Sequence, residues 1–490
     1  MIALKNVTYF YENHKKPSIK DINVHIKKGE FVVLTGNSGC GKTTATRVVN
    51  GLAPKFYEGK LTGQVIVNNN DINKRNLWEI GKDIGSIFQD PKSQFFATLV
   101  EDEVAFGCEN YGIKQTEIDD RVMKALEMVN GLKLKGKELF HLSSGEKQKI
   151  AIASISALNP EIYVFDEPSA NLDMYSVEQL KVMLKYLKDL GKTILISEHR
   201  LYYLKDLADR YIYMKDGEVK FTWNPEQVED ISAEAWQGLG LRNLDLNRSN
   251  DFELRNHNSK NNIFLEIKEV EFNYKKDRIF DKLNLTFKSG EITCITGENG
   301  AGKTTLAKII CGLLKENKGK LEYNKKLLKH KERRKIAYFV SQNTDCQLFT
   351  ETLESELLLS NKEINSEEVL RNYGLEKLIK CHPSTLSGGE RQRLTLAVAD
   401  AMNREILIFD EPTSGVDKNN MKLISKRLKE LACRGKVIIV ITHDYEFIKE
   451  SCEKVILVNR KEKIECINLL KDSKHLLKSM TRNTGGSVNA

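Results

Sequence analysis

At 490 residues, with 40% hydrophobic and 29% charged residues, the chain has the composition of a folded protein of two or more domains and not of a disordered one. Its 76 basic and 68 acidic residues leave a net charge of only +8, and the lysines are scattered and not gathered into an arm, so the charge offers no footprint for nucleic acid. No apolar run is long enough to cross a bilayer, the nine cysteines form no Cys-x-x-Cys pair or zinc-spaced cluster, and Met1 leads into Ile2, Ala3 and Leu4 without a leader pattern; the expectation is a cytoplasmic protein with reduced thiols.

In chain order, the first strong feature is the apolar run 31–34, read as a buried strand, followed by a glycine-rich loop and a helix-compatible segment. The loop reads Gly36, Asn37, Ser38, Gly39, Cys40, Gly41, Lys42, Thr43, Thr44. Strand, glycine loop and helix is the context in which such a loop cradles phosphates: backbone N–H groups turn inward and the helix start adds its positive end. Lys42 then reaches the terminal phosphates and the Thr43 hydroxyl is a ligand for Mg²⁺. Cys40, next to Lys42 and the helix start, is expected to have a lowered pKa and to react when nucleotide is absent.

Further along, Leu142, Ser143, Ser144, Gly145 and Glu146 begin a second helical segment. The run 162–165 ends in Asp166 and Glu167, as expected of carboxylates at the mouth of a parallel strand: Asp166 to hold Mg²⁺ and Glu167 to polarise an attacking water. His199 follows another apolar run.

All of this returns. Gly297, Glu298, Asn299, Gly300, Ala301, Gly302, Lys303, Thr304 and Thr305 repeat the loop; Ser387, Gly388 and Gly389 repeat the serine-glycine segment; Asp410, Glu411 and His443 repeat the acidic pair and histidine. Ser143 to Ser387, Asp166 to Asp410 and His199 to His443 are each 244 residues apart, while Lys42 to Lys303 is 261, so the second copy is shorter by 17 residues, all before Ser387. The expected organisation is a first domain at 1–222, a mostly irregular linker at 223–262 with one short helix near 233–237, and a second domain at 263–490 with a frayed tail from about 481.

The ordered set resembles the ATP-binding cassette (ABC) ATPase family over nearly the whole chain; the Leu-Ser-Ser/Gly-Gly-Glu segment is what other phosphate-loop ATPases lack. The resemblance implies an α/β fold of two tandem ABC ATPase domains, each a RecA-like α/β core with an antiparallel β subdomain and a helical signature subdomain. It implies ATP and Mg²⁺ as cofactors, with each signature (Ser143–Gly145, Ser387–Gly389) reaching the nucleotide held by the opposite cassette. Tyr11 and Tyr274 would stack on adenine, Gln89 and Gln342 would sense Mg²⁺ and the attacking water, and His199 and His443 would contact the γ-phosphate. Because Ser144 stands where the second signature has Gly388, the site with Lys303 and Glu411 is expected to be the weaker one.

After each sensing glutamine comes a second glutamine and two apolar residues: Gln94, Phe95, Phe96 and Gln347, Leu348, Phe349. This pattern, with the Ser197-Glu-His-Arg200 ending, is similar to the fused ATPase subunits of energy-coupling factor (ECF) transporters, importers of vitamins and transition-metal ions. The implied partners are an integral membrane coupling subunit, received by grooves at those segments, and a substrate-binding membrane subunit, with the motor at the cytoplasmic membrane face and no role for nucleic acid. The main rival, a soluble twin-cassette translation factor, would carry a long basic helical hairpin between cassettes; here 223–262 has four basic and seven acidic residues.

Overall fold

The computed structural model describes residues 1–12, 14–246, 263–275, 277–459 and 464–481, the side chains of 345 and 470–474 excepted. The chain divides into two compact units, with the boundary between Asp245 and Leu246.

The described residues of the first unit form ten strands: β1 (Ile2–Tyr11), β2 (Ile19–Ile26), β3 (Phe31–Gly36), β4 (Gly59–Val67), β5 (Asn70–Asp71), β6 (Ile84–Ile87), β7 (Ile162–Asp166), β8 (Thr193–Ser197), β9 (Arg210–Lys215) and β10 (Glu218–Trp223). They make two sheets, an antiparallel one in the order β2-β1-β4-β5 and a six-stranded one in the order β10-β9-β3-β8-β7-β6. From β9 to β6 the second sheet is parallel, and only β10 runs the other way. Burial explains the composition: every residue of β3 and β8 is buried, so these strands read as continuous apolar runs, covered on both faces. Antiparallel β2 has buried Ile19, Ile22 and Ile26 between exposed polar residues. Three helices, Val100–Asn110, Gln115–Met128 and Ser144–Ala157, pack on one another as a helical subdomain.

The second unit repeats this plan with β11 (Phe264–Tyr274), β12 (Asp277–Lys288), β13 (Ile292–Thr296), β14 (Lys318–Tyr323), β15 (Lys326–Leu327), β16 (Ala337–Val340), β17 (Ile406–Asp410), β18 (Val437–Ile441), β19 (Lys454–Val458) and β20 (Ile464–Asn468). Its sheets run β12-β11-β14-β15 and β16-β17-β18-β13-β19-β20, the same topology strand for strand. The missing residues fall in three places. The span between Gly51 and Gly63 shrinks to that between Gly312 and Gly319. The five residues between Asp71 and the helix Leu77–Asp83 shrink to two, between Leu327 and the helix His330–Ile336. The helices Val100–Asn110 and Gln115–Met128, of 11 and 14 residues, become Leu353–Ser360 and Ser366–Asn372, of 8 and 7.

The expected linker needs correcting in its first half. Residues 224–245 are part of the first unit, with two short helices, Pro225–Glu229 and Ala233–Gly238, capped by Asn224 and Ser232. Val228, Trp236 and Leu241 join the first unit's core. The Trp236 indole donates to the Arg242 carbonyl at 2.9 Å, and Tyr213 donates to the Leu239 carbonyl at 3.0 Å. A tryptophan that buries its rings and satisfies its N–H is the reason this polar-looking stretch is ordered. The remainder of the expected linker, 247–262, and the expected tail from 482 on lie outside the described residues.

Candidate nucleotide site

The glycine loop of the first unit leaves the C-terminal end of β3 and enters the helix Lys42–Val49. Two glycines are needed by the backbone. Gly36 has φ 148°, and a Cβ there would lie 2.2 Å from the Met214 carbonyl oxygen; Gly41, the N-cap, has φ 102° and would meet the Ser18 carbonyl oxygen at 2.6 Å. Lys42 is buried and its ammonium folds back over the loop, donating to the carbonyls of Gly36 (3.1 Å) and Asn37 (3.2 Å). In the second unit Gly302 caps the helix Lys303–Ile310, and Lys303 donates to the carbonyls of Gly297 (2.7 Å) and Glu298 (2.8 Å). Burial pulls Lys303 below the usual lysine range, opposed by the nearby Glu411 carboxylate.

The strand-end carboxylates stand where the sequence pattern puts them. Thr43 donates its hydroxyl to Asp166 at 3.1 Å and Thr304 donates to Asp410 at 3.0 Å, so each helix start is tied to the end of the neighbouring acidic strand. Burial raises the Asp166 carboxyl above its ordinary range, with the adjacent Glu167 adding to it; burial does the same to Asp410. Glu167 and Glu411 both adopt left-handed backbone conformations, φ 45° and 50°. Such conformations are costly for a non-glycine residue and aim the side chain off the strand end. Gln89 donates its amide to Glu167 at 3.0 Å, and His199 Nε2 lies 3.3 Å from the same carboxylate. In the second unit His443 Nε2 is 3.8 Å from Glu411, and Gln342 occupies the equivalent exposed place after β16.

The signature segments begin helices. Ser143 caps Ser144–Ala157 and Ser387 caps Gly388–Ala401, each in a reciprocal box with the glutamate three residues on. Ser143 donates through both N–H and hydroxyl to Glu146 at 2.8 Å, and Ser387 does so to Glu390 at 2.8 and 2.7 Å. The expectation that Gly388 supplies a backbone unavailable to Ser144 needs correction. Gly388 opens an ordinary helix without positive φ, and a Cβ added to it would meet nothing within 4 Å. The demanding glycine is the next one: a Cβ on Gly145 would fall 2.3 Å from the Ser176 hydroxyl, and one on Gly389 3.4 Å from the Asn420 amide.

Cys40 also departs from expectation. It is 4% exposed, and burial raises its thiol pKa despite the opposing charge of Lys42. The loop turns the side chain into the domain and not toward a ligand, so desolvation outweighs the helix start.

Tyr11 ends β1 with its hydroxyl 3.3 Å from that of Thr44, beside the loop. Tyr274 ends β11, is 44% exposed, and touches Phe272 edge-on at 4.9 Å.

Several residues without an assigned role also shape the site. Glu198 is buried and accepts from the backbone N–H groups of His199 (2.7 Å), Arg200 (3.1 Å) and Ser169 (3.3 Å) and from the Tyr203 hydroxyl (2.8 Å). In the second unit a carboxylate on the other side of the histidine does this work: Asp444 accepts from the Thr413 hydroxyl at 2.9 Å. The hydroxyl of Ser197 donates to Asp166 at 2.5 Å, whereas Thr442, one place later in the repeat, donates to Glu411 at 3.0 Å. The signal was the unequal Ser-Glu-His-Arg and Thr-His-Asp endings.

After the sensing glutamines, Gln94 accepts from the Phe88 N–H at 3.2 Å and Gln347 from the Ser341 N–H at 2.9 Å. Two buried glutamates then hold the next turn. Glu103 accepts from the N–H groups of Phe96 (2.8 Å) and Ala97 (2.9 Å), and Glu356 from those of Phe349 (3.0 Å) and Thr350 (2.9 Å). Phe96 and Phe349, on these clamped turns, are both 76% exposed, while Phe95 is half-buried against the core.

Comparison with known proteins agrees with this geometry. The ABC transporter family model matches residues 19–170 and 280–414. A protein of Treponema denticola, provisionally named an ABC transporter ATP-binding protein, is 39% identical over 94% of this chain and 95% of its own length. A Bacillus subtilis protein, provisionally named HMP/thiamine import ATP-binding protein YkoD, is 31% identical over 94% of this chain and 90% of its own. Among solved structures, an archaeal ribosome recycling factor, aABCE1, in complex with ribosomal stalk protein aP1, is similar over 99% of this chain and 96% of that one, with a TM-score of 0.66 and 20% sequence identity.

Proposed function

The chain belongs to the ABC transporter family of ATPases and carries two of its cassettes, and on that footing we propose that it is the motor of an ECF-type importer for a vitamin or transition-metal ion. Sequence likeness over nearly the full length to transporter ATP-binding proteins, one of them named for HMP/thiamine import, supports this reading. The likeness to the recycling factor, at 20% identity, is one of fold.

Two phosphate loops and two acidic strand ends give the chain the parts for two hydrolytic sites. Mg²⁺ takes a few protein oxygens together with substrate phosphates, and the hydroxyl–carboxylate pairs Thr43–Asp166 and Thr304–Asp410 fit that preference. When bound, the metal neutralises charge on the transferring phosphoryl group. Lys42 and Lys303 exchange loop carbonyls for phosphate oxygens, Glu167 and Glu411 accept a proton from the attacking water, Gln89 and Gln342 align it, and His199 and His443 take the γ-phosphate side.

The observation that carries the transport reading is the pair of glutamate-clamped turns that present Phe96 and Phe349 to solvent. A rigidly held, exposed aromatic at the same place in both units suits docking of an apolar helix from an integral membrane coupling subunit. That subunit would in turn associate with a substrate-binding membrane subunit. No helix of the described residues is long and apolar enough to cross a membrane. Docking on the coupling subunit is what would hold the chain at the proposed location, the cytoplasmic membrane face.

Fractionation tests the proposal. The tagged chain should co-purify with hydrophobic membrane proteins, and Phe96→Ser with Phe349→Ser should release it into the soluble fraction with ATP hydrolysis intact. Sedimentation with ribosomes, unaffected by these substitutions, would favour the translation-factor reading instead.

A further inference from the structure

The two units differ sharply around the tyrosine proposed to meet the base. In the first, Tyr11 is enclosed. Its ring meets Tyr9 at 5.0 Å, His14 at 6.1 Å and Tyr57 at 6.4 Å, each edge-on, and its hydroxyl accepts from Arg47 at 3.0 Å. The Arg47 guanidinium in turn lies 3.9 Å over the Tyr57 ring, and the Tyr9 hydroxyl donates to the Tyr57 carbonyl at 2.6 Å. Tyr57 belongs to the longer span between Gly51 and Gly63, the segment that the second unit shortens.

In the second unit each partner is changed. The place of Tyr9 is taken by Phe272, which has no hydroxyl, and the place of Arg47 by Lys308, while the shortened span between Gly312 and Gly319 contains no aromatic residue. Tyr274 is 44% exposed, with a single ring contact to Phe272 among the described residues.

We propose that Tyr57 and Arg47 are positioning residues that preorganise Tyr11 as a base platform in the first nucleotide site, so that this site holds adenine nucleotides more tightly than the second. The inference rests on reading the two glycine loops as nucleotide sites. Its physical basis is the ordering cost of binding: a ring already held by three ring edges and a charged hydrogen bond loses little freedom when a base stacks on it, whereas a free ring must be ordered. The phosphate end of the ligand feels no such difference, because both lysines, both threonines and both strand-end carboxylates are present. The asymmetry is therefore confined to the base.

Calorimetric titration of the full chain with ADP and, separately, with inorganic tripolyphosphate tests this. Lys303→Ala leaves the first loop intact and Lys42→Ala the second. ADP should bind the first site about 3- to 10-fold more tightly than the second, the range expected of one or two aromatic contacts. Tyr57→Ala should bring the first site's ADP affinity to that of the second without changing its tripolyphosphate affinity, and Tyr57→Phe should restore it. Arg47→Met provides the same comparison should Tyr57→Ala fail to fold. Equal ADP affinities at the two sites, or a parallel loss of ADP and tripolyphosphate binding in the variants, would overturn the inference. A first site that binds neither compound would overturn the nucleotide-site reading itself.

Discussion

His199 Nε2 stands 3.2 Å from Lys42 Nζ and 3.3 Å from Glu167 Oε1, so one edge of the imidazole faces both the phosphate-loop cation and the carboxylate proposed to activate water. An ammonium only donates and a carboxylate only accepts, so this nitrogen accepts from Lys42 when the ring proton is on Nδ1 and donates to Glu167 when it is on Nε2. Were a phosphate to draw Lys42 away, Nε2 would be left facing Glu167, with Glu198, bound to the His199 N–H, holding the ring's backbone in place.

The first prediction concerns the proposed bases. The double variant Glu167→Gln with Glu411→Gln should lose about 10²- to 10⁴-fold in ATP turnover, the usual worth of general-base catalysis. Binding of ATP should survive, read by equilibrium dialysis. Retention of wild-type turnover would remove both glutamates from the chemistry.

The helix starts predict that Ser144→Gly is nearly silent. Gly388 has open space where Ser144 has its side chain, and neither position needs glycine's backbone freedom. Turnover at saturating ATP should stay within about twofold of wild type, a change of less than half a kcal/mol in barrier. Gly145→Ala, by contrast, should impair the protein, because its Cβ would collide with Ser176. A large gain in Ser144→Gly would restore the signature as a source of inequality.

Cys40 should be alkylated slowly at pH 7 with or without Mg-ATP. Burial raises its pKa, so the thiolate fraction falls at neutral pH, and labelling should climb only as the pH passes above the ordinary thiol range. Exposed Cys433 and Cys466 should react first. Mass-spectrometric mapping across pH reads the order; preferential labelling of Cys40 at pH 7 would contradict it.

Glu103 and Phe96 should separate folding from docking. Removing a buried carboxylate that holds two N–H groups, as in Glu103→Ala, should cost roughly 1–3 kcal/mol of stability per group left unpaired. Phe95→Ser should also lower the melting temperature, since Phe95 packs on the core. Phe96→Ser should leave it unchanged while abolishing transport. Equal destabilisation by Phe95→Ser and Phe96→Ser would make the exposed ring a structural element only.

Asp166 gives a pH-dependent stability test. Its folded-state pKa is raised by burial and by Glu167, so the ionised form destabilises the ligand-free protein at neutral pH, and the penalty fades as the pH falls through the folded value. Asp166→Asn should therefore melt above wild type at pH 7.5 without ligand, with the gap closing in acid, and should gain less from Mg-ATP. A lower melting temperature at pH 7.5 would refute the assignment.

Repetition made most of the fold legible. The fixed 244-residue offset between Asp166 and Asp410 comes from strands and helices that must keep length to close the same parallel sheet, whereas the helices after Glu103 and Glu356 tolerate deletion. Residues proposed to touch phosphate were visible because their chemistry fixes their spacing. Supporting groups were not: Glu198 and Asp444 brace the same turn from opposite sides of a histidine, so no single position marks them. Cys40 misled because sequence position does not reveal which way a side chain turns, and burial then reverses the expected behaviour.

The capping boxes have a last consequence. The Ser143 hydroxyl and N–H both point at the Glu146 carboxylate, and those of Ser387 at Glu390, so each signature already has a resident anion from its own chain. In the role that the family resemblance implies for the signatures, a phosphate would have to compete with this carboxylate for the same two serine donors.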